Sequence, residues 1–352
     1  MCYFAGTDRL NFQPFGTEPA DGNMPVPMFE KIAAEMFPRA WRVALGCAAE
    51  PMIHPRFPEL LSIAGRYRVP DLWFPTNLLA LTETSARAIQ DAGVRTVAAS
   101  IDGTTKETYE KIRVPAKWER LLSRLELLRE TRRSSGRKLP RLRIIFTWMK
   151  SNRAELADLP AFAQQWGADE LDVRYVSPTV GVDVTAELLS GEDPRELNAQ
   201  LKSAARDAVK RGVRLSSYPE FEPPGDRPKA LLARVQRRLW HIRAGLDRWE
   251  HRRHAVAQRL HGCAYPDRYY VIRPNGAVAP CIYWEGAPIG LYPSDGLASI
   301  STGAPLARIR EGLLSGEPVD TCATCGERRA ALYRLRGSVP ASDSLRLPTH
   351  PK

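Results

Sequence analysis

Four of the six cysteines fall between Cys263 and Cys325. Twelve residues separate Cys263 from Gly276, four more separate Gly276 from Cys281, and the stretch closes as Cys322-Ala323-Thr324-Cys325-Gly326. A Cys-x-x-Cys turn offers two thiolates to one ion or one cluster face, and a distant pair completes a soft donor set, so zinc and iron-sulfur both suit this spacing. The competing readings are a pair of disulfides or a purely structural zinc knot. Between Cys263 and Cys281, Asn275-Gly276 separates two β-rich runs, 269–273 and 277–283, and predicts a hairpin that returns Cys281 towards Cys263.

The composition bounds what can surround these thiols. At 352 residues the chain has room for one large domain and a small one. No run of about eighteen apolar residues appears, which excludes a membrane helix, and Met1-Cys2-Tyr3-Phe4 lacks the basic-then-apolar layout of a signal peptide. A cytoplasmic protein is expected, whose thiols stay reduced and free to ligate. The net charge of +11 favours an acidic partner. An acidic electron donor such as a flavodoxin or ferredoxin, or an acidic peptide, is expected ahead of nucleic acid.

Upstream of the cysteines the pattern alternates. Strands are predicted at 41–45, 71–74, 96–100, 141–148, 170–176 and 213–216, and helices at 27–37, 56–67, 82–92, 118–133, 153–166 and 194–211. Repeated βα units mean a parallel sheet with helices outside, as either a barrel or an open doubly wound sheet. In both, chemistry sits at the carboxyl ends of the strands. Those ends carry Gly46-Cys47-Ala48-Ala49-Glu50-Pro51, Pro75-Thr76-Asn77 and Ser100-Ile101-Asp102-Gly103, the last followed by a helix ending Tyr109-Glu110-Lys111-Ile112-Arg113. After Pro223-Pro224-Gly225, residues 228–260 read as long helices with nine Lys/Arg against two Asp/Glu, and 337–352 as a disordered tail.

The cysteine spacing, with Ile272-Arg273-Pro274-Asn275-Gly276 before Pro280-Cys281 and Gly290 and Ile309-Arg310 before Cys322, resembles the SPASM domain, the auxiliary-cluster module of many radical S-adenosylmethionine enzymes. The resemblance implies a 4Fe-4S cluster on Cys263, Cys281, Cys322 and Cys325. With no cysteine after Cys325, one auxiliary cluster is expected rather than two. The strand ends are similar to the core of the same enzymes, whose segments read Gly-x-Gly-Glu-Pro, Thr-Asn-Gly, Ser-Ile-Asp-Gly and Tyr-x-x-Ile-Arg. By that resemblance Glu50 accepts from the ammonium of S-adenosylmethionine, Asn77 belongs to the same cofactor site, Ser100 and Asp102 lie near the ribose, and Arg113 holds the carboxylate side. Each residue also has a plainer reading as a turn or cap; their order after successive strands favours the joint one.

Two departures accompany the resemblance. Ala48-Ala49 stand where the family has Gly-Gly before Glu-Pro. The family's Cys-x-x-x-Cys-x-x-Cys motif is represented only by Cys2, in its third position, while Cys47 reads as a small buried hydrophobe. The expectation is a natural protein longer at its N-terminus, with a radical cluster only in that extended form; a degenerate paralogue is the other reading. The implied fold is α/β: a partial (β/α)6 TIM-like barrel lacking its first strand over 1–217, a basic helical insert over 218–262, a SPASM-like module over 263–330 and a tail over 331–352. The implied activity is reductive cleavage of S-adenosylmethionine to a 5′-deoxyadenosyl radical that abstracts hydrogen from a peptide, protein or small molecule. A non-catalytic iron-sulfur or zinc-binding adaptor with a basic docking helix is the alternative.

Overall fold

A computed structural model of the chain describes residues 22–46, 49–136, 139–176, 183–217, 263, 265–284 and 286–325. The expectations for Cys2, Cys47, the basic helix at 228–260 and the tail at 337–352 fall outside these residues. The described residues 23–217 belong to one compact unit and 263–325 to another.

The first unit is built on six strands, β1 (Arg42–Ala44), β2 (Asp71–Thr76), β3 (Thr96–Ser100), β4 (Arg141–Trp148), β5 (Glu170–Tyr175) and β6 (Arg214–Ser217). They lie in that order, all parallel. A sequential order means that every crossover steps the same way. This is how a sheet wraps towards a barrel, whereas a doubly wound sheet reverses direction at a switch point. Around the sheet come α1 (Val26–Met36), α2 (Phe57–Gly65), α3 (Glu83–Asp91), α4 (Lys106–Ile112), α5 (Trp118–Ser134), α6 (Leu159–Gln165) and α7 (Pro194–Lys210).

Register partners on parallel strands share a face, and the two faces differ sharply. Leu72, Phe74, Val97, Ala99, Leu142, Ile144, Phe146, Leu171 and Val173 are buried, and Phe57 of α2 meets Phe74 edge-on at 5.4 Å. The opposite face carries Trp73, Ser100, Arg143, Asp172 and Arg174, all half-buried. A fully covered parallel sheet is apolar on both sides; here the second face sets these polar, half-buried residues around the buried Ala98 and Ile145. Local signals fix the helices. Thr82 and Ser85 form a reciprocal cap on α3, and Asp193 caps α7 just ahead of Pro194.

The helix expected over 153–166 is instead a 3-10 segment, Lys150–Leu156, followed by α6. Pro160 accounts for the break: it lacks an N–H and its ring excludes the carbonyl four residues back, so the helix restarts with Pro160 in its first turn.

The second unit holds a small antiparallel sheet, β7 (Val271–Ile272), β8 (Ala277–Ala279) and β9 (Gly290–Leu291). The Asn275-Gly276 turn forms as expected between β7 and β8, with the Ala277 N–H donating to Asn275 Oδ1 at 3.0 Å. The strands are shorter than the runs that predicted them. Pro280 follows β8 immediately and cannot donate to a ladder. Helices α8 (Leu297–Thr302), α9 (Ala304–Ser315) and α10 (Asp320–Thr324) complete the unit. Leu306, Ile309 and Leu313 form the buried stripe of α9. Arg310 donates from Nη1 to the Ser301 carbonyl and from Nη2 to the Pro266 carbonyl, which ties α9 to α8 and to the turn that follows Cys263.

Candidate functional site

Glu50 leaves the chain just after β1 and turns over the edge of the sheet. Its Oε1 accepts from Met52 N at 3.2 Å and from Thr76 Oγ1 at 2.8 Å, and its Oε2 accepts from Asn77 N at 2.5 Å. A carboxylate has about four acceptor positions, so Oε2 keeps capacity for one more donor. Burial raises the Glu50 pKa; the three donors and the positive charge of Arg113 work against that rise. Gly46 supports the turn: a Cβ there would stand 2.7 Å from Pro51 Cβ, so only glycine lets the chain fold back this closely.

Asp102 and Arg113 pair with each other. Arg113 donates to Asp102 Oδ2 from Nε at 2.7 Å and from Nη2 at 2.5 Å, and Thr147 N donates to Asp102 Oδ1 at 2.7 Å. Asp102 is buried and Arg113 half-buried, so this is a two-donor guanidinium-carboxylate contact largely out of water. Helix α4 can bring Arg113 back because Gly103 lets it close in: a Cβ at Gly103 would lie 2.6 Å from Tyr109 N. Asn152 locks the floor, donating from Nδ2 to the carbonyls of Asp102 and Thr147, both at 2.9 Å.

Of the residues picked out in the sequence, Glu50 and Asn77 touch, Asp102 and Arg113 touch, and Arg113 lies within electrostatic reach of Glu50. Asn77 contributes its backbone N–H to Glu50, while its Oδ1 accepts from Leu79 N at 2.9 Å. Ser100 ends β3, half-buried, beside Ile145 of β4. Sequence reading missed Thr76, Thr147 and Asn152. Thr76 could have been found as the hydroxyl directly before Asn77. The other two act through backbone position and long-range packing, which leave no local signal.

In the second unit Cys263, Cys281, Cys322 and Cys325 are in no disulfide, and all are half-buried. Burial first, and then the charges of Cys263, Cys325 and Cys322, push the Cys281 thiol up to about 12 against the lowering effect of the Tyr283 N–H. The four sulfurs are therefore electrical neighbours. Among the described residues no three metal-ligating side chains are set as a ready-made ion site. The donor set nevertheless fits a metal centre, because four soft sulfur donors that act on one another could ionise together only with a bound cation to offset their charge.

Residues 263–326 match the family described as SPASM, an iron-sulfur cluster-binding domain. No curated protein matches the chain. Among solved structures, Streptococcus suis SuiB bound to S-adenosylmethionine is similar at 15% identity and a TM-score of 0.59, over 86% of this chain and 64% of that one. The same SuiB bound to its precursor peptide SuiA is similar at 14% identity and 0.59, over 90% and 66%. Native anSMEcpe with bound AdoMet and the Cp18Cys peptide is similar at 13% identity and 0.53, over 89% and 80%. The chain thus spans less than two thirds of the length of SuiB, and at these identities the likeness is one of fold. Residues 263–326 thus match a SPASM cluster-binding domain, and the α/β unit ahead of them shares the fold of enzymes solved with bound S-adenosylmethionine.

Proposed function

We propose that the protein is a radical S-adenosylmethionine enzyme that modifies a peptide. The observation that carries the reading is Glu50, a carboxylate fixed by three donors at the edge of the sheet with one acceptor position to spare. Its ionised form takes the ammonium of S-adenosylmethionine, while Arg113, steered by Asp102, presents positive charge towards the carboxylate side. Ser100 and Asp102 lie on the ribose side, and the polar face of the sheet receives the substrate. Cys263, Cys281, Cys322 and Cys325 hold one auxiliary 4Fe-4S cluster, and Cys2 is a ligand of the radical cluster. With one electron from a reduced cluster, the C5′–S bond of S-adenosylmethionine would break to give methionine and a 5′-deoxyadenosyl radical, which would take a hydrogen atom from the substrate.

Two similar folds are described with bound peptides, SuiB with SuiA and anSMEcpe with Cp18Cys, which supports a peptide substrate here. The charge of +11 and the basic segment at 218–262 suit an acidic peptide or an acidic electron donor such as a flavodoxin or ferredoxin. The test is 5′-deoxyadenosine formation under dithionite, measured on a form that carries all three cysteines of the Cys-x-x-x-Cys-x-x-Cys motif. Product above background that disappears on Glu50→Ala supports the reading. No product from a form loaded with both clusters overturns it.

A further inference from the structure

Leu78 has a backbone φ of +68°, a left-handed conformation that suits glycine and strains a branched residue. Its side chain is fully buried, at 0% exposure, so the strain is held by packing and not by a turn-forming residue type. The consequence falls on Glu50. Curling the chain at Leu78 aims its N–H back at Thr76 Oγ1, 2.8 Å away, and that hydroxyl donates onward to Glu50 Oε1, also at 2.8 Å. One residue earlier, at the end of β2, the N–H of Asn77 donates to Glu50 Oε2 at 2.5 Å. Two of the three donors on Glu50 thus come from the strand end that this strained residue closes. Relaxed backbone at Leu78 would take its N–H off the Thr76 hydroxyl and loosen the turn that holds both donors.

We infer that Leu78 is a positioning residue: its buried side chain holds the left-handed turn after β2 that steadies Asn77 N–H and the Thr76 hydroxyl on Glu50, and so keeps Glu50 aimed for a cationic ligand. This rests on the reading of Glu50 as the acceptor for the ammonium of S-adenosylmethionine. Strain kept in place by the surrounding core, next to a binding carboxylate, is where stored backbone energy is useful.

Leu78→Ala keeps the Cβ that disfavours this φ but removes the anchor, so the turn relaxes. Leu78→Met keeps a long buried side chain. The first readout needs no ligand: the carboxyl carbon of Glu50, assigned by its loss in Glu50→Gln, is followed by NMR through a pH titration. Leu78→Ala should move the Glu50 midpoint to higher pH, because donors that favour its charged form are lost, while Leu78→Met titrates like the parent. Leu125→Ala, a deletion of another fully buried leucine on α5, controls for loss of packing; it should lower the melting temperature and leave Glu50 alone. The second readout is S-adenosylmethionine binding by equilibrium dialysis to the cluster-loaded protein, weakened about tenfold by Leu78→Ala and unchanged by Leu78→Met. Leu78→Ala that melts earlier yet titrates and binds like the parent would overturn the inference. A shifted Glu50 midpoint in a protein whose parent form does not bind S-adenosylmethionine would keep the positioning and overturn only the reading of the ligand.

Discussion

Glu50 sits where two opposing effects meet, and its substitutions separate them. Glu50→Ala removes an acceptor whose charge-assisted contact with an ammonium contributes about 1.5 to 3 kcal/mol, so S-adenosylmethionine binding should weaken by roughly ten- to a hundredfold in a calorimetric titration. The pH dependence follows from the raised pKa of this carboxyl. Only the ionised form attracts the ammonium, so affinity is full above the raised pKa and falls as pH drops through it. Because burial has moved the pKa upward, that fall starts at a higher pH than an ordinary glutamate would give. Binding that is flat across the acidic range would contradict the assignment. Asp102 is exposed at 2% and pairs with Arg113, whose side chain is 21% exposed. Removing one partner of a buried pair leaves the other uncompensated. Asp102→Asn should therefore cost about 3 kcal/mol, discounted somewhat for the partial exposure of Arg113, and appear as an earlier urea midpoint.

At the scale of the element, the loop after β3 depends on helix α4 lying almost against it. Gly103→Ala would push a Cβ to 2.6 Å from backbone, not from a yielding side chain. The helix start must shift, and Arg113 with it, so both stability and S-adenosylmethionine affinity should drop; unchanged affinity would show that α4 has no part in the site. Thr82 tests the sheet's support separately from its chemistry. Its cap on α3 is reciprocal with Ser85, and Thr82→Ala should cost about 1 kcal/mol in denaturant titration with no change in affinity. Most elements were legible in the sequence. The βα alternation found the strand cores to within a residue or two, because each strand keeps an apolar row against the helices. The break at Pro160 was legible in kind but not weighed. Strand β9 is two residues long and carries no pattern of its own. The left-handed Leu78 was invisible, since local preference argues against it and only tertiary burial enforces it.

Across the whole molecule, the cysteines and the strand ends point to the same family from opposite ends of the chain. The cysteine spacing was readable because ligand geometry constrains it directly. The joint site at Glu50, Asn77, Asp102 and Arg113 was readable as a set of residues but not as a set of contacts. That Asp102 spends one oxygen on Arg113 and the other on Thr147 N depends on the register of β3 against β4. Among the described residues no helix is long and apolar enough to cross a membrane. An auxiliary four-iron cluster is what separates the proposed enzyme from a zinc-binding adaptor, so counting metal is the most direct test of the proposal. Reconstituted anaerobically, the 352-residue chain should hold about four irons with broad cluster absorption, and Cys322→Ala should lose them. Stoichiometric zinc without cluster absorption, or iron that survives Cys322→Ala unchanged, would contradict it.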